Sequence, residues 1–307
     1  MLDLSPSASP ELAPWPVYRN NVADLLAHAQ RRPLISGLME ADVTETLHRI
    51  RTLQRRAGVG ISLTAYLVYL LGQTTRRYPE MQAVRVPFRK KTARFHGVDV
   101  STAVEHRLPG RGRLPVPYAV RDADRKSLAE ICIELRTASK ANLFEADPDL
   151  RLRARLAHLP RFVRRLFWRW VDLNPARRRR VRGTIGLSNL NGVTPFRRPG
   201  FVHAMTLLTT SLCVGALYDR LVPDADDPRG FRSSKRLCIT LHCDHLLVDG
   251  APMVRFAGSF LEALERGDGL DDELVDALIA HREHGASRRR EETSGEADMP
   301  PRAPVPS

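Results

Sequence analysis

The run His245-Leu-Leu-Val-Asp-Gly250 holds the combination of residues best suited to chemistry in this chain. An imidazole can take the proton from a thiol or hydroxyl near neutral pH, because its ordinary pKa lies in that range. The stretch from Leu237 to Gly250 reads as a strand that runs out at Asp244-His245 and turns into a helix at Ala251. A histidine held at a strand end projects into a cleft at little entropic cost. Asp249, four positions on, is placed to pin the turn or orient the ring, and Gly250 admits backbone geometry that other residues resist. On its own, His-x-x-x-Asp-Gly fits an ordinary surface histidine beside a turn better than a catalytic one.

The elements that must position this histidine follow from spacing. Tyr18 to Gln30 has helical periodicity and ends before Arg31-Arg32-Pro33. Leu34 to Val43 is expected as a strand leading into a helix that begins near Thr44, with Leu47, Ile50 and Leu53 on one face. Ser62 is placed to cap an apolar helix running to Tyr78-Pro79, buried on more than one side. Phe95 to Val104 reads as a strand, Leu108 to Pro117 as a Gly/Pro/Arg loop, and Ser127 to Ala141 as an amphipathic helix. Further strands are expected at Thr184 to Ser188, Met205 to Ala216 and Leu237 to Cys243. Pro252 to Leu264 is expected as a helix with Pro252 in its first turn, and Asp271 to Ala280 as a short last helix. Strands and helices alternate without a clear linker. That predicts one α/β domain over 18–284, a flexible lead over 1–17 and a disordered tail over 285–307.

Composition sets bounds. The 307 residues are 43% hydrophobic, enough for a substantial core, yet no run approaches the ~18 consecutive apolar residues of a membrane span. The start is acidic and rich in proline and serine, unlike a secretory signal. Cys132, Cys213, Cys238 and Cys243 form no Cys-x-x-Cys pair. They read as buried free thiols in a reducing compartment, with no metal site, and a cytoplasmic location is expected. The net charge of +13 is localised: twelve arginines and one acid, Asp172, lie between Arg151 and Arg182, leaving +2 for the rest. In this segment Leu156, Leu159, Phe162, Val163, Leu166, Phe167 and Trp170 interleave with arginines, the pattern of a basic amphipathic helix. A packing helix with a solvated basic face, an anionic membrane surface or acyl-chain contact, coenzyme A phosphates and nucleic acid are the readings, in that order. No recognition motif accompanies the charge, so no nucleic acid is expected. The Arg177 to Arg180 run is expected to be a loop.

Five ordered landmarks resemble one family. They are Glu40-Ala-Asp-Val-Thr44, Tyr78-Pro-Glu-Met81, Arg121-Asp-Ala-Asp-Arg-Lys-Ser-Leu128, Gly183-Thr-Ile-Gly-Leu-Ser-Asn-Leu190, and Asp244-His245 followed by Val248-Asp-Gly-Ala-Pro252. Together they resemble the catalytic domain of dihydrolipoamide acyltransferases of 2-oxo acid dehydrogenase complexes and, more distantly, chloramphenicol acetyltransferase. The resemblance implies an α/β, chloramphenicol acetyltransferase-like two-layer fold, a mixed β-sheet packed with helices. It implies an acyltransferase in which His245 deprotonates the attacking thiol and Ser188 donates a hydrogen bond to the tetrahedral oxyanion, an effect of roughly 3 kcal/mol. Asp249 would be mainly structural, with Asn189 and Gly250 at the substrate. It also implies a homotrimer whose site takes histidine and serine from different chains.

The chain departs from the family in ways that shape the expectation. Fewer than forty residues precede the first matching strand, so no lipoyl attachment site is expected in this chain. Leu246 stands where the complex enzymes usually have arginine. The expected activity is therefore free-standing transfer between an acyl-coenzyme A and an unknown acceptor, in a protein that is cytoplasmic or peripheral at a membrane. A dihydrolipoamide acyltransferase serving a lipoyl domain on another chain is the alternative, and a non-catalytic scaffold of the same fold is the third reading.

Overall fold

A computed structural model gives the architecture and describes residues 11–108, 112–141, 147–191 and 198–297. Six strands form one mixed sheet in the order β1-β8-β7-β6-β4-β5. Their ranges are β1 (Leu34–Asp42), β4 (Val100–Leu108), β5 (Gly112–Val120), β6 (Ile185–Asn189), β7 (Thr210–Pro223) and β8 (Phe231–Asp244). A separate short hairpin joins β2 (Val84–Arg85) to β3 (Thr92–Ala93). β6 runs parallel to both β4 and β7, while β7–β8, β1–β8 and β4–β5 are antiparallel. The expected mixed sheet packed with helices is the one found.

One face of the sheet is covered by α2 (Thr44–Ala57), α3 (Leu63–Arg77), α4 (Leu128–Lys140), α8 (Gly250–Arg266) and the start of α9 (Asp272–Ala297). Helix α3 is the centre of this layer. Ser62 caps it by accepting from the Ala65 amide, worth about 1 kcal/mol. Tyr66, Leu67, Leu70 and Leu71 on it are almost wholly buried. Helix α4 begins with a capping box between Ser127 and Glu130. The four cysteines are buried free thiols, and burial pushes those of Cys132, Cys213 and Cys243 up to about 11, which keeps them protonated near neutrality.

Several expectations are corrected. Gly112 to Pro117, expected in a loop, belong to β5, which pairs antiparallel with β4 and tolerates Pro115 and Pro117 because it is the sheet's edge strand, while residues 109–111 lie outside the described residues. Strand β4 starts at Val100, not Phe95, and β7 at Thr210, not Met205. The 151–182 segment is three helices instead of one: α5 (Pro148–Leu156), α6 (Arg161–Asp172) and α7 (Pro175–Arg182). Arg177 to Arg180 is thus helical, begun by the Asn174 cap and Pro175 in the first turn. Helix α9 runs to Ala297, past Ala280 and into the stretch expected to be disordered. The rest of that tail, and residues 1–10 of the expected lead, lie outside the described residues.

The arginine segment is also less free than its composition suggests. Arg161 and Arg164 reach Asp24 on α1 (Arg19–Ala29), Arg178 and Arg182 reach Asp172, Arg179 reaches Asp99 and Asp122, and Arg180 reaches Asp149. Half of the twelve arginines therefore meet a carboxylate. The Arg164–Asp24 pair is buried at 2.6 Å and ties α1 to α6.

Candidate active site

His245 emerges where β8 ends, and the backbone there is tightly held. Its amide donates to Pro33 O at 2.8 Å, and the Asp244 amide donates to Thr209 O at 2.8 Å. The Asp244 carbonyl accepts from the Leu247 and Val248 amides, while its carboxylate accepts from the Leu246 amide and pairs with Arg32. Asp244, almost wholly buried, is therefore the residue that pins this turn. The expectation that Asp249 pins it is corrected: Asp249 is highly exposed and its side chain makes no cap bond to α8. It can still bear on the ring electrostatically, since its Oδ1 lies 3.8 Å from His245 Nδ1.

The ring's hydrogen bond fixes its chemistry. His245 Nδ1 lies 3.2 Å from the Val248 carbonyl oxygen. A carbonyl only accepts, so Nδ1 must carry the hydrogen when the ring is neutral, and the lone pair sits on Nε2. The side chain is about half exposed, which leaves Nε2 available to an incoming acid. Gly250 differs from expectation as well. It has ordinary helical backbone at the start of α8, and a Cβ there would meet nothing. The position therefore needs neither glycine's backbone freedom nor its smallness.

Ser188 and Asn189 end β6. Leu187 points into the helix-side core, so Ser188 is on the opposite face by strand alternation. Asn189 returns to the helix side, where its Nδ2 donates to Thr64 Oγ1 at 3.0 Å and its Oδ1 accepts from the Asn191 amide. There it lines a cavity of about 430 Å³ with Ser62, Thr64, Glu105, Cys132 and Arg136. Thr64, which the sequence did not single out, positions Asn189. A larger open cleft of about 660 Å³ lies over Arg121, Asp149 and Arg180, but the carboxylates there are already paired. Among the described residues no group of three or more His, Cys, Asp or Glu side chains could hold a metal ion.

One chain does not bring His245 and Ser188 together. Ser188 is level with Cys213 on β7, which is level with Thr240 on β8. From there β8 continues four residues to Asp244 before reaching His245. At standard strand rise and spacing, the two side chains are roughly 15 Å or more apart.

Comparison with known proteins places this geometry. Residues 8–143 match the family model described as 2-oxoacid dehydrogenases acyltransferase (catalytic domain). A probable dihydrolipoamide acetyltransferase from Listeria monocytogenes has the same fold, with 16% identity, 85% of this chain and 97% of that chain covered, and a TM-score of 0.59. The dihydrolipoamide acetyltransferase of Azotobacter vinelandii is 19% identical over 88% of this chain and 97% of its own, with a TM-score of 0.61. That structure was solved in work on the role of a serine, a histidine and an asparagine in the catalytic mechanism. A truncated catalytic core of the 2-oxoacid dehydrogenase multienzyme complex from Thermoplasma acidophilum is 20% identical, with 84% and 100% covered and a TM-score of 0.56. Both His245 and Ser188 lie beyond the matched 8–143 segment, where the likeness is one of fold. Residues 8–143 are thus similar in sequence to the acyltransferase catalytic domain of the 2-oxoacid dehydrogenases, and most of the chain shares the fold of such domains.

Proposed function

We propose that this protein moves an acyl group between a coenzyme A thioester and a separate acceptor, using His245 of one copy and Ser188 of a neighbouring copy in a homotrimer. The observation that carries the reading is the His245 Nδ1 contact to the Val248 carbonyl, which leaves Nε2 as a held base at the end of β8. Nε2 takes the proton from the attacking thiol, amine or hydroxyl. The nucleophile adds to the thioester carbonyl, and the Ser188 hydroxyl donates to the resulting oxyanion. Collapse expels the coenzyme A thiolate, which recovers the proton from the imidazolium. Asn189 belongs to the cavity wall, whose volume lies in the range that holds small-molecule ligands. Asp249, 3.8 Å from the ring, shapes the approach to it, and Gly250 opens the helix that follows. The separation of roughly 15 Å or more within one chain supports assembly of the site from two copies. The four buried free thiols fit a cytoplasmic protein.

The alternative acceptor is a dihydrolipoyl group on another chain, which needs the same base and oxyanion donor. Turnover of acetyl- and longer acyl-coenzyme As with free dihydrolipoamide and with simple thiols tests both. Release of coenzyme A that disappears in His245→Ala is the expected outcome. Wild-type protein that turns over no acyl donor with any acceptor would leave only the scaffold reading.

A further inference from the structure

The β2–β3 hairpin carries a set of features that acyl transfer does not use. From Arg85 to Arg94 there are five cations, Arg85, Arg89, Lys90, Lys91 and Arg94, and no acid. Among the described residues none of the five meets a carboxylate, unlike half of the arginines of α5–α7. At the hairpin tip, Pro87 and Phe88 are the central residues of a turn closed by the Arg89 amide on Val86 O. Phe88 has φ of 59°, a left-handed conformation that favours glycine or asparagine, and its ring is 88% exposed. An aromatic held out in strained backbone among unpaired cations has no reward within the folded chain.

A second element of the same character is linked to it through helix α7. Helix α6 turns Arg164, Trp168 and Val171 inward. Its outer stripe is Phe162, Leu166 and Trp170, one turn apart and 72%, 67% and 49% exposed. Arg165 and Arg169, both exposed, flank that stripe, and the Arg177 guanidinium sits 4.0 Å from the Trp170 ring centre. Helix α7 joins the two elements: the hairpin base, Val84 and Phe95, lines one small pocket with Arg178, Arg179 and Arg182. Two basic segments more than sixty residues apart in sequence are thus joined through α7.

We propose that these two linked elements dock onto an anionic lipid surface, with Phe88 and the Phe162–Leu166–Trp170 stripe entering the interfacial layer and the unpaired cations meeting lipid phosphates and carboxylates. Charge complementarity selects the occupant. An apolar stripe bordered by unpaired arginine and lysine matches a negatively charged bilayer, which rewards buried aromatic area and each nearby cation together. No helix among the described residues is long and apolar enough to cross a membrane, so the association is peripheral. The inference does not depend on which acceptor the enzyme uses.

The test is co-sedimentation of the full chain with vesicles of phosphatidylcholine alone and of phosphatidylcholine and phosphatidylserine in equal parts, at low and high salt. Binding to the anionic vesicles only, released by salt, is expected. Lys90→Gln with Lys91→Gln, and separately Arg165→Gln with Arg169→Gln, each lower that binding by about tenfold or more. Phe88→Ser and Leu166→Gln weaken it with their melting temperature retained. The hairpin pair is fully exposed, so its test survives any instability in α6. Equal binding to both vesicle types, no binding to either, or anionic binding that ignores all four variants would overturn the proposal. Concentration-dependent self-association that Leu166→Gln abolishes, without vesicle binding, would assign the face to a second copy of the chain instead.

Discussion

The two ends of the central sheet are built by different means. At the His245 end, backbone carbonyls do the work: Pro33 O holds the main chain, Val248 O holds the ring, and buried Asp244 pins the turn against Arg32. At the Ser188 end, side chains do it: Asn189 is tethered to Thr64 and faces a cavity roofed by α3 and α4. A base needs its tautomer and direction fixed, which a carbonyl acceptor provides without competing for protons. A substrate-binding end needs shape and exchangeable hydrogen bonds. In the proposed function each end supplies half of an acyl-transfer site, and one chain keeps the halves apart.

Substitutions separate these halves. The largest effect is expected from His245→Ala, a loss of ~1,000-fold or more in coenzyme A release, read by thiol titration, since no neighbouring group can replace a positioned base. Ser188→Ala should cost about a hundredfold in kcat with little change in KM for the thioester, because the hydroxyl acts mainly on the oxyanion. Asp249→Ala should change the rate only a few-fold, as its exposed carboxylate stands 3.8 Å from the ring and caps nothing. A loss as large as that of His245→Ala would restore Asp249 to the catalytic machinery.

Strand β6 also rests on an ion-pair network, at the end opposite Ser188. Thr184 and Ile185, which open β6, donate to the Asp99 carbonyl, and the Asp99 carboxylate accepts from Arg179, Arg121 and the Asp122 amide. Burial raises the Asp99 pKa, but those hydrogen bonds and the Arg179 charge outweigh it and hold the carboxyl below its ordinary 3.8. A depressed folded pKa stabilises the protein above the unfolded value and loses that contribution as pH falls through the folded one. Acid unfolding should therefore steepen below about pH 4, and Asp99→Asn should blunt that limb while costing roughly 3 kcal/mol at neutral pH. Chemical denaturation across pH measures both. Unchanged stability at neutral pH would show that β6 does not depend on this network.

Much of this was legible in the residues, for identifiable reasons. The strand-to-helix passage through His245 showed in its hydrophobic run, and the start of α3 in Ser62 ahead of Ala65. Edge strand β5 did not show, because prolines and glycines at Pro115, Pro117 and Gly112 imitate a loop when the sheet order is unknown. Helix α7 was hidden by four consecutive arginines, although Asn174-Pro175 was a start signal. The partners of the arginine segment, Asp24, Asp99 and Asp122, are distant in sequence, so its charge looked free when half of it is paired. The Asp244–Arg32 pin and the Asn189–Thr64 tether escaped for the same reason.

Complementation between copies tests the central claim most directly. His245→Ala and Ser188→Ala proteins, each strongly impaired alone, are mixed under conditions that exchange subunits and assayed for coenzyme A release. A shared site predicts that about a quarter of the sites regain both groups, with activity to match. No recovery in mixed assemblies verified by mass, or full activity in an isolated wild-type monomer, would contradict a site built from two copies.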